Sequence, residues 1–185
     1  DKGYQVIRIG NIQENSIINS SDKFIDYSNS LYKNELMDIY LLSNCEFYIG
    51  SDSGIGNISV ISNKFVGLIN STYYENLQIQ SFKRFVIFKK FFSNKLNRNL
   101  SLKEIFKANL HTLSTTSEFD KNEIKLIDNS PEEIKNLSIE MDMKINGTWE
   151  RSEEDTKFHN IFWDIIKYYD LEKNNDYEDI YLGNH

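Results

Sequence analysis

The chain alternates between short runs of apolar residues and longer segments whose apolar residues recur at helical spacing. Runs rich in β-branched and aromatic residues are typical of buried strands, and here each run ends at small or polar residues that favour turns. The predicted strands cover residues 4–9, 24–27, 46–50, 65–69, 84–88 and 124–127.

The segments between these strands predict helices. Residues 35–43 follow Asn34, a good N-cap, and place Leu36, Ile39, Tyr40 and positions next to Leu42 on an apolar stripe. The other predicted helices cover residues 56–62, residues 101–109 with a capping box of Ser101 and Glu104, residues 131–145 with Asn129 or Ser130 as the cap, and a segment that begins near Ser152.

Strands that alternate with helices favour a parallel sheet covered on both faces. The predicted fold class is therefore α/β: a Rossmann-like, doubly wound and mostly parallel sheet with helices on both faces and extra C-terminal helices. In this prediction residues 1–150 form the domain, and residues 151–185 form a C-terminal helix and tail that pack on it.

Composition and charge argue against several classes of protein. The 185 residues include 21 basic and 28 acidic side chains, and the net charge of −7 argues against nucleic-acid binding through a basic face. The single cysteine, Cys45, allows no disulfide within the chain, and no apolar run is long enough to span a bilayer. These features predict a cytoplasmic location. Because the chain starts directly before a strand and without methionine, we expect it to be part of a longer protein.

One stretch, residues 83–98, combines basic side chains with phenylalanines. Such a stretch can form a patch that contacts a membrane surface, at the inner face of the membrane, or that docks an acceptor. The alternative is a buried strand followed by a solvated, partly amphipathic loop, and the sequence favours this second interpretation.

The strongest local signal is the turn that follows the strand at residues 46–50. Ser51, Asp52, Ser53 and Gly54 lie between this strand and a helix, at the carboxyl edge of the sheet, where ligands bind in open α/β folds. Gly50, Gly54 and Gly56 would let the backbone approach a ligand, and the amides of residues 53–56 would point outward as an anion site. Asp52 would cap the helix or accept a hydrogen bond from a hydroxyl. The turn therefore predicts a ligand with both phosphate and hydroxyl groups, although a strand-to-helix turn that needs glycines for structural reasons has the same pattern.

Other polar residues end or flank neighbouring elements and could converge on the same edge. Arg8 and Gly10 end the first strand, Glu35 and Asp38 lie on the first helix, and Asn70 ends the strand after the turn. For Arg8, Glu35 and Asp38 the structural alternatives are a strand-end arginine, a first-turn helix acid and a solvated helix face.

Residues 4–70 resemble a family of bacterial glycosyltransferases found among surface-polysaccharide genes. The similarity rests on the "NELMDIY" helix and the "FYIGSDSG" turn, with "NLSLKEI" and "SPEEI" later in the chain. More distantly, the chain is similar to the donor-binding half of heptosyltransferases, which have a comparable Asp-Ser-Gly turn. The resemblance implies the C-terminal half of a two-domain GT-B-type enzyme, which holds a nucleotide-sugar without a metal or another cofactor and transfers the sugar to a glycan or lipid-linked acceptor.

The resemblance also implies roles for individual residues. Ser51, Asp52, Ser53 and Gly54 would hold the phosphates and ribose of the donor. Arg8 would place positive charge near the diphosphate, Gly10 would allow close approach, and Glu35 or Asp38 would bind ribose or sugar hydroxyls. Asn57 stands near the place where heptosyltransferases usually have a histidine, and Asn70 completes the predicted donor-binding set.

No general base is evident in the chain, and the resemblance implies that it belongs to an N-terminal half that would precede Asp1. A second interpretation is a non-catalytic Rossmann-like binding or scaffold module. A third is a sugar-nucleotide epimerase. An open cleft lined by Arg8, Ser51 and Ser53 would favour donor binding, whereas a cleft filled by Tyr73 or Tyr74 would favour the scaffold.

Overall fold

The computed structural model describes residues 2–11, 17, 21–74, 83–168 and 181–182. Within them the strands are β1 (Val6–Ile7), β2 (Phe24–Ile25), β3 (Phe47–Gly50), β4 (Phe65–Ser71), β5 (Arg84–Phe88), β6 (Lys90–Ser93), β7 (Arg98–Asn99), β8 (Ile124–Ile127) and β9 (Tyr181–Leu182). The α-helices are α1 (Glu35–Asn44), α2 (Gly56–Ile61), α3 (Leu102–Lys107), α4 (Thr116–Lys121), α5 (Pro131–Ile145) and α6 (Glu153–Tyr168), and short 3-10 helices cover Tyr27–Asn29 and Leu110–Thr112.

The central sheet contains β3, β4, β5 and β9 in that spatial order, and each neighbouring pair is parallel. The predicted α/β class with a parallel sheet is therefore confirmed. The order runs in one direction along the sheet, so the reversal of strand order that characterises a doubly wound fold is not found among these described strands.

Both faces of this sheet are buried, as its near-continuous apolar strands predict. Along β4 and β5, residues Phe65, Ile69, Phe85 and Ile87 belong to the cluster that packs against Leu137 and Met141 of α5. The intervening residues Val66, Leu68, Val86 and Phe88 belong to a second cluster that includes side chains from α2, α3 and α6. Helices therefore cover both faces, because successive side chains in a strand point to opposite sides.

The remaining strands form two smaller sheets, which corrects the expectation of one mostly parallel sheet. The order β7-β6-β8 is antiparallel, with Phe91 opposite Leu126. Only Lys89 separates β5 from β6, and this is too short for the crossover that a parallel neighbour would need, so the chain leaves the central sheet and pairs with β8. The sequence favoured a solvated loop after the strand at residues 84–88, and this is wrong for residues 90–93, which form β6.

The first strand was predicted to be buried, and this is wrong. β1 pairs in parallel with β2, and both Val6 and Ile25 are exposed. Among the described strands each has only the other as a neighbour, so one face of the pair has no apolar layer to pack on. The N-terminal segment docks instead through Tyr4, whose hydroxyl donates to Asp142 of α5 at 2.8 Å and whose ring makes a T-shaped contact with Phe47.

The predicted helix starts are confirmed by their caps. Asn34 accepts a hydrogen bond from the Met37 amide, and reciprocal capping boxes join Ser101 to Glu104 and Ser130 to Glu133. The apolar stripe of α1 does not face the core, since Leu36, Ile39 and Tyr40 are exposed and Leu42 is the buried residue of this helix. Leu42 lies about 120° around the helix from that stripe, on the side that contacts α2.

Candidate functional site

The predicted turn lies at the carboxyl end of β3, where the sequence places it, and Ser51, Asp52, Ser53 and Gly54 are all exposed. Its backbone is partly engaged in the turn itself. The Gly56 amide donates to the Ser53 carbonyl at 3.1 Å and the Asn57 amide donates to the Gly54 carbonyl at 3.2 Å. The prediction that all amides of residues 53–56 point outward is therefore wrong for Gly56.

Two of the three glycines near this turn make room for a side chain of the protein. A Cβ atom at Gly50 would collide with the Tyr48 hydroxyl, and one at Gly56 would lie 2.9 Å from the Tyr48 ring. A Cβ atom at Gly54 would meet nothing within 4 Å. Packing around Tyr48 thus accounts for Gly50 and Gly56, and Gly54 alone borders open space.

Asp52 was predicted to cap α2 or to bind a hydroxyl, and the capping part is wrong. The N-cap of α2 is Ile55, and no side chain caps it. The charge of Asp52 instead acts on Arg84, the first residue of β5. Burial lowers the pKa of the Arg84 guanidinium, and the nearby Asp52 carboxylate opposes this effect.

Arg84 is a residue that sequence analysis did not select for the site. It was placed only within a predicted strand and a basic stretch. A usable signal was present, because an arginine at the start of a strand that is apolar on both faces needs an anionic partner.

The predicted residues near the N-terminus lie in a different part of the fold. Arg8 follows β1, and its guanidinium forms a two-pronged ion pair with Asp26, with both N–O distances at 2.8 Å. Arg8 Nε also donates to Ser28 Oγ at 3.1 Å. Both partners lie at or beyond the end of β2, so the Arg8 side chain joins the two strands of the small sheet.

Two further predicted residues, Gly10 and Asp38, are both contacted by Lys33. Its ammonium group donates to the Gly10 carbonyl and lies 3.4 Å from a carboxylate oxygen of Asp38. Lys33 therefore links the segment after β1 to the first turn of α1. Glu35, also in that turn, is exposed.

The two predicted asparagines differ in their surroundings. Asn57 is exposed in the first turn of α2. Asn70, near the end of β4, has a left-handed backbone with φ of 56° and exchanges two hydrogen bonds of 2.6 Å with Asn129, each amide N–H donating to the other side chain. Asn129 also donates to the Phe88 carbonyl at the end of β5. The pair thereby ties the carboxyl ends of β4 and β5 to the loop before α5.

The predicted set is therefore only partly brought together. The residues that follow β3 and Asn70 near the end of β4 share the carboxyl edge of one parallel sheet. Arg8, Gly10, Glu35 and Asp38 belong to the β1–β2 pair and α1.

A cavity of about 660 Å³ lies at the carboxyl end of β5, between the sheet and α6. None of the predicted site residues lines it. Its wall includes Phe88, Lys89, Lys90, Asn129, Phe162 and His159. Tyr74, proposed as a residue that would fill a degenerate site, is buried against Phe88 with ring centroids 4.2 Å apart, and it forms part of the cavity wall.

The two lysines of the cavity wall are each paired with a carboxylate. Lys89 lies 2.7 Å from Asp128, and Lys90 lies 2.7 Å from Glu133. Burial raises the pKa of the Glu133 carboxyl, but hydrogen bonds from Lys90 and Ser130 lower it further, to about 2. His159 Nε2 accepts a hydrogen bond from Trp163 at 3.1 Å, so this nitrogen is engaged within α6.

Membrane-spanning helices and metal-binding groups are both absent from the described residues. No helix among them is both long enough and apolar enough to cross a bilayer. In the same residue ranges, no three or more histidine, cysteine, aspartate or glutamate side chains group in a way that could hold a metal ion.

Comparison with known proteins adds no assignment to these observations. No protein-family model, no curated protein and no solved structure matches the chain. The similarity to surface-polysaccharide glycosyltransferases therefore stays a prediction from the sequence.

Proposed function

We propose that this chain binds a nucleotide-sugar and is the donor-binding half of a metal-independent, GT-B-type glycosyltransferase of cell-surface polysaccharide synthesis. The observation that supports it most is the cavity at the carboxyl end of β5. Ligands of parallel α/β sheets bind outside the carboxyl ends of the strands. The volume of about 660 Å³ also falls within the usual range for small-molecule sites.

The chemistry of the cavity wall suits the parts of such a donor. Phe162 and the exposed Phe158 offer aromatic surface on which a nucleobase can stack, whereas the Phe88 ring is already stacked on Tyr74. Asn99 and Asn129 offer amide groups for ribose or sugar hydroxyls. Lys89 and Lys90 offer positive charge for a diphosphate, in exchange for their present carboxylate partners.

The exposed turn after β3 lies on the same edge of the sheet. β3 and β5 are separated by β4 alone, so their ends are about 10 Å apart at the usual strand spacing. This spacing allows one extended ligand to reach from the cavity to Ser51, Ser53 and Gly54. The proposed donor site is the cavity at the end of β5, with Ser51, Ser53, Gly54 and Asn70 at its border. Arg8, Gly10, Glu35 and Asp38 lie outside it.

The proposed reaction is direct displacement at the anomeric carbon of the donor. The acceptor hydroxyl oxygen forms the new bond to this carbon as the bond to the diphosphate oxygen breaks. The hydroxyl proton passes to a base that the resemblance assigns to another half of the enzyme. This chain would hold the donor and stabilise the leaving diphosphate by charge.

The test is thermal unfolding of the chain with UDP, GDP, CMP and ADP and the corresponding nucleotide-sugars. We expect one nucleotide to raise the melting temperature in a concentration-dependent way, because a ligand that binds only the folded state stabilises it by mass action. Lys89→Gln should reduce this shift. Lys95→Gln, which removes an exposed lysine outside the cavity wall, should leave the shift unchanged. Equal shifts in both variants would contradict a donor site at Lys89.

The second candidate is the non-catalytic binding or scaffold module. The engagement of Arg8 by Asp26 and the packing of Gly50 and Gly56 on Tyr48 favour it, since these residues then need no ligand to explain them. Asp52→Ala separates the two functions at the turn. If the folded Asp52→Ala variant binds a nucleotide more weakly than the wild-type chain, donor binding is supported. If the wild-type chain binds no nucleotide in the panel, the scaffold is supported.

A further inference from the structure

Helix α1 and the loop before it present an apolar surface to solvent, which we call the α1 face. Its five large side chains have the following fractional exposures: Leu31 102%, Tyr32 79%, Leu36 77%, Ile39 50% and Tyr40 60%. Leu36, Ile39 and Tyr40 lie at positions i, i+3 and i+4, so they form one continuous stripe along the helix. Leu31 and Tyr32 immediately precede the Asn34 cap and extend the surface beyond the N-terminal end of α1.

This exposure is unusual for a helix of a folded domain. A surface helix normally turns its apolar stripe to the core and its polar residues to water. Within the chain, α1 buries Leu42, which is 1% exposed, and leaves the larger apolar stripe uncovered. The exposed area of the five residues of the α1 face is roughly 700 Å², taking about 200 Å² for a fully exposed large side chain, and this exceeds the largest apolar patch of most monomers.

We propose that the α1 face is the interface of a homodimer, in which a second copy of this chain covers it with the same face. The area agrees with this occupant, because a standard stable interface covers about 800 Å² on each partner. Two tyrosines contribute to it, and this residue type is enriched at protein interfaces.

The charges on α1 favour a second copy over a membrane surface. Its sequence, ELMDIYLLSN, contains no lysine or arginine, whereas helices that lie on anionic membranes depend on basic residues. Asp38 is paired with Lys33 at 3.4 Å, so Glu35 is the remaining acidic side chain of the helix. In a two-fold, antiparallel arrangement the two Glu35 carboxylates lie at opposite ends of the helix pair and stay apart.

The experiment is sedimentation velocity of the full chain across micromolar concentrations, with two matched variants. Ile39→Glu places a charge in the α1 face, and Leu96→Glu places the same charge in the β6–β7 turn, where the leucine is 52% exposed. We expect the wild-type chain and L96E to sediment at twice the 21.8 kDa of one chain and I39E to sediment as a monomer. The dissociation constant of I39E should rise at least a hundredfold.

Leu36→Glu provides a second variant of the same face, and the far-UV spectrum and unfolding midpoint show that each variant is folded. A wild-type chain that is still monomeric at about 100 micromolar would overturn the proposal. So would an I39E or L36E variant that dimerises like wild type. Flotation of the wild-type chain with phosphatidylcholine or phosphatidylglycerol vesicles, lost in I39E, would assign the face to a lipid surface instead. Nucleotide binding does not enter these measurements, so the result is independent of the proposed function.

Discussion

Tyr48 determines which residues can stand on either side of the turn after β3. Its ring lies against the backbone at Gly50 and Gly56, both of which sequence analysis assigned to ligand approach. A side chain at either position would have to displace the Tyr48 ring, whether or not a ligand binds. Gly54, which has open space around it, is the glycine whose function at the turn stays a prediction.

This contact predicts different effects for two alanine substitutions in one turn. Gly56→Ala should lower the free energy of unfolding by about 1–3 kcal/mol, because the new methyl group displaces the Tyr48 ring from a packed position. Gly54→Ala should change it by less than about 0.5 kcal/mol. Urea denaturation of both variants gives the comparison. A G56A variant as stable as G54A would show that Tyr48 can turn aside without loss.

At the scale of elements, the start of α5 combines several local signals. Pro131 stands at the first helical positions, and Ser130 and Glu133 form a capping box. Glu133 also pairs with Lys90 of β6, so the same carboxylate that closes the helix end ties it to the antiparallel sheet. Because these contacts favour the ionised form, they lower the pKa of Glu133 to about 2 from an ordinary value of 4.5.

This lowered pKa makes part of the stability depend on pH. The contribution of the Glu133 charge is complete above about pH 4.5 and is lost as the pH falls toward 2, since the unfolded chain then binds the proton more readily. Glu133→Gln keeps an oxygen acceptor for the cap and removes the charge. We expect it to cost about 1–2 kcal/mol at pH 7, a value reduced for the solvent around Lys90, and to cost less at pH 3.

Glu132→Gln is the matched control for this measurement, because Glu132 is exposed and pairs with Lys135 on the helix surface. Unfolding by urea from pH 7 to pH 3 should show a gap between wild type and E133Q that narrows with acid, and almost no gap for E132Q. A gap for E133Q that is constant over this range would show that packing, and not charge, is responsible.

At the scale of the whole molecule, the Asn70–Asn129 pair joins the two larger sheets. Asn70 is in β4 of the parallel sheet, and Asn129 follows β8 of the antiparallel sheet. Their residue numbers differ by 59, and the two bonds between them are 2.6 Å long. Asn129 is buried, so without the Asn70 side chain the backbone N–H of Asn129 would have no acceptor in the interior.

Asn70→Ala should therefore lower the free energy of unfolding by about 2–4 kcal/mol, from the orphaned amide and from alanine in a left-handed backbone. Asn70→Gly should recover about 1 kcal/mol of this loss, because glycine adopts that backbone freely. Asn97, exposed in the β6–β7 turn with φ of 51°, is the control, and its alanine variant should show the backbone effect alone. Equal losses in N70A and N97A by urea denaturation would mean that the bonds to Asn129 contribute nothing to stability.

The sequence by itself determined the α/β class, the positions of β3, β4 and β5 in the central sheet and the starts of α1, α3 and α5. These depend on local physics: apolar runs of strand length, and caps that satisfy amides within four residues. Helix α4 and strands β7 and β9 were not predicted, and the two strands are too brief, at two residues each, to show periodicity.

Only the tertiary structure decided which faces are buried and which distant groups meet. The stripe of α1 has helical spacing, yet the neighbouring α2 contacts its other side. The cavity at the end of β5 combines side chains from β5, the Asn129 loop and α6. No local pattern in the sequence predicts that these segments come together. Arg8 and Asp52 were judged by residue type, whereas their partners Asp26 and Arg84 were fixed by strand pairing and burial. Contacts between remote segments depend on the packing of whole elements, and for this reason the sequence predicted the elements better than the site.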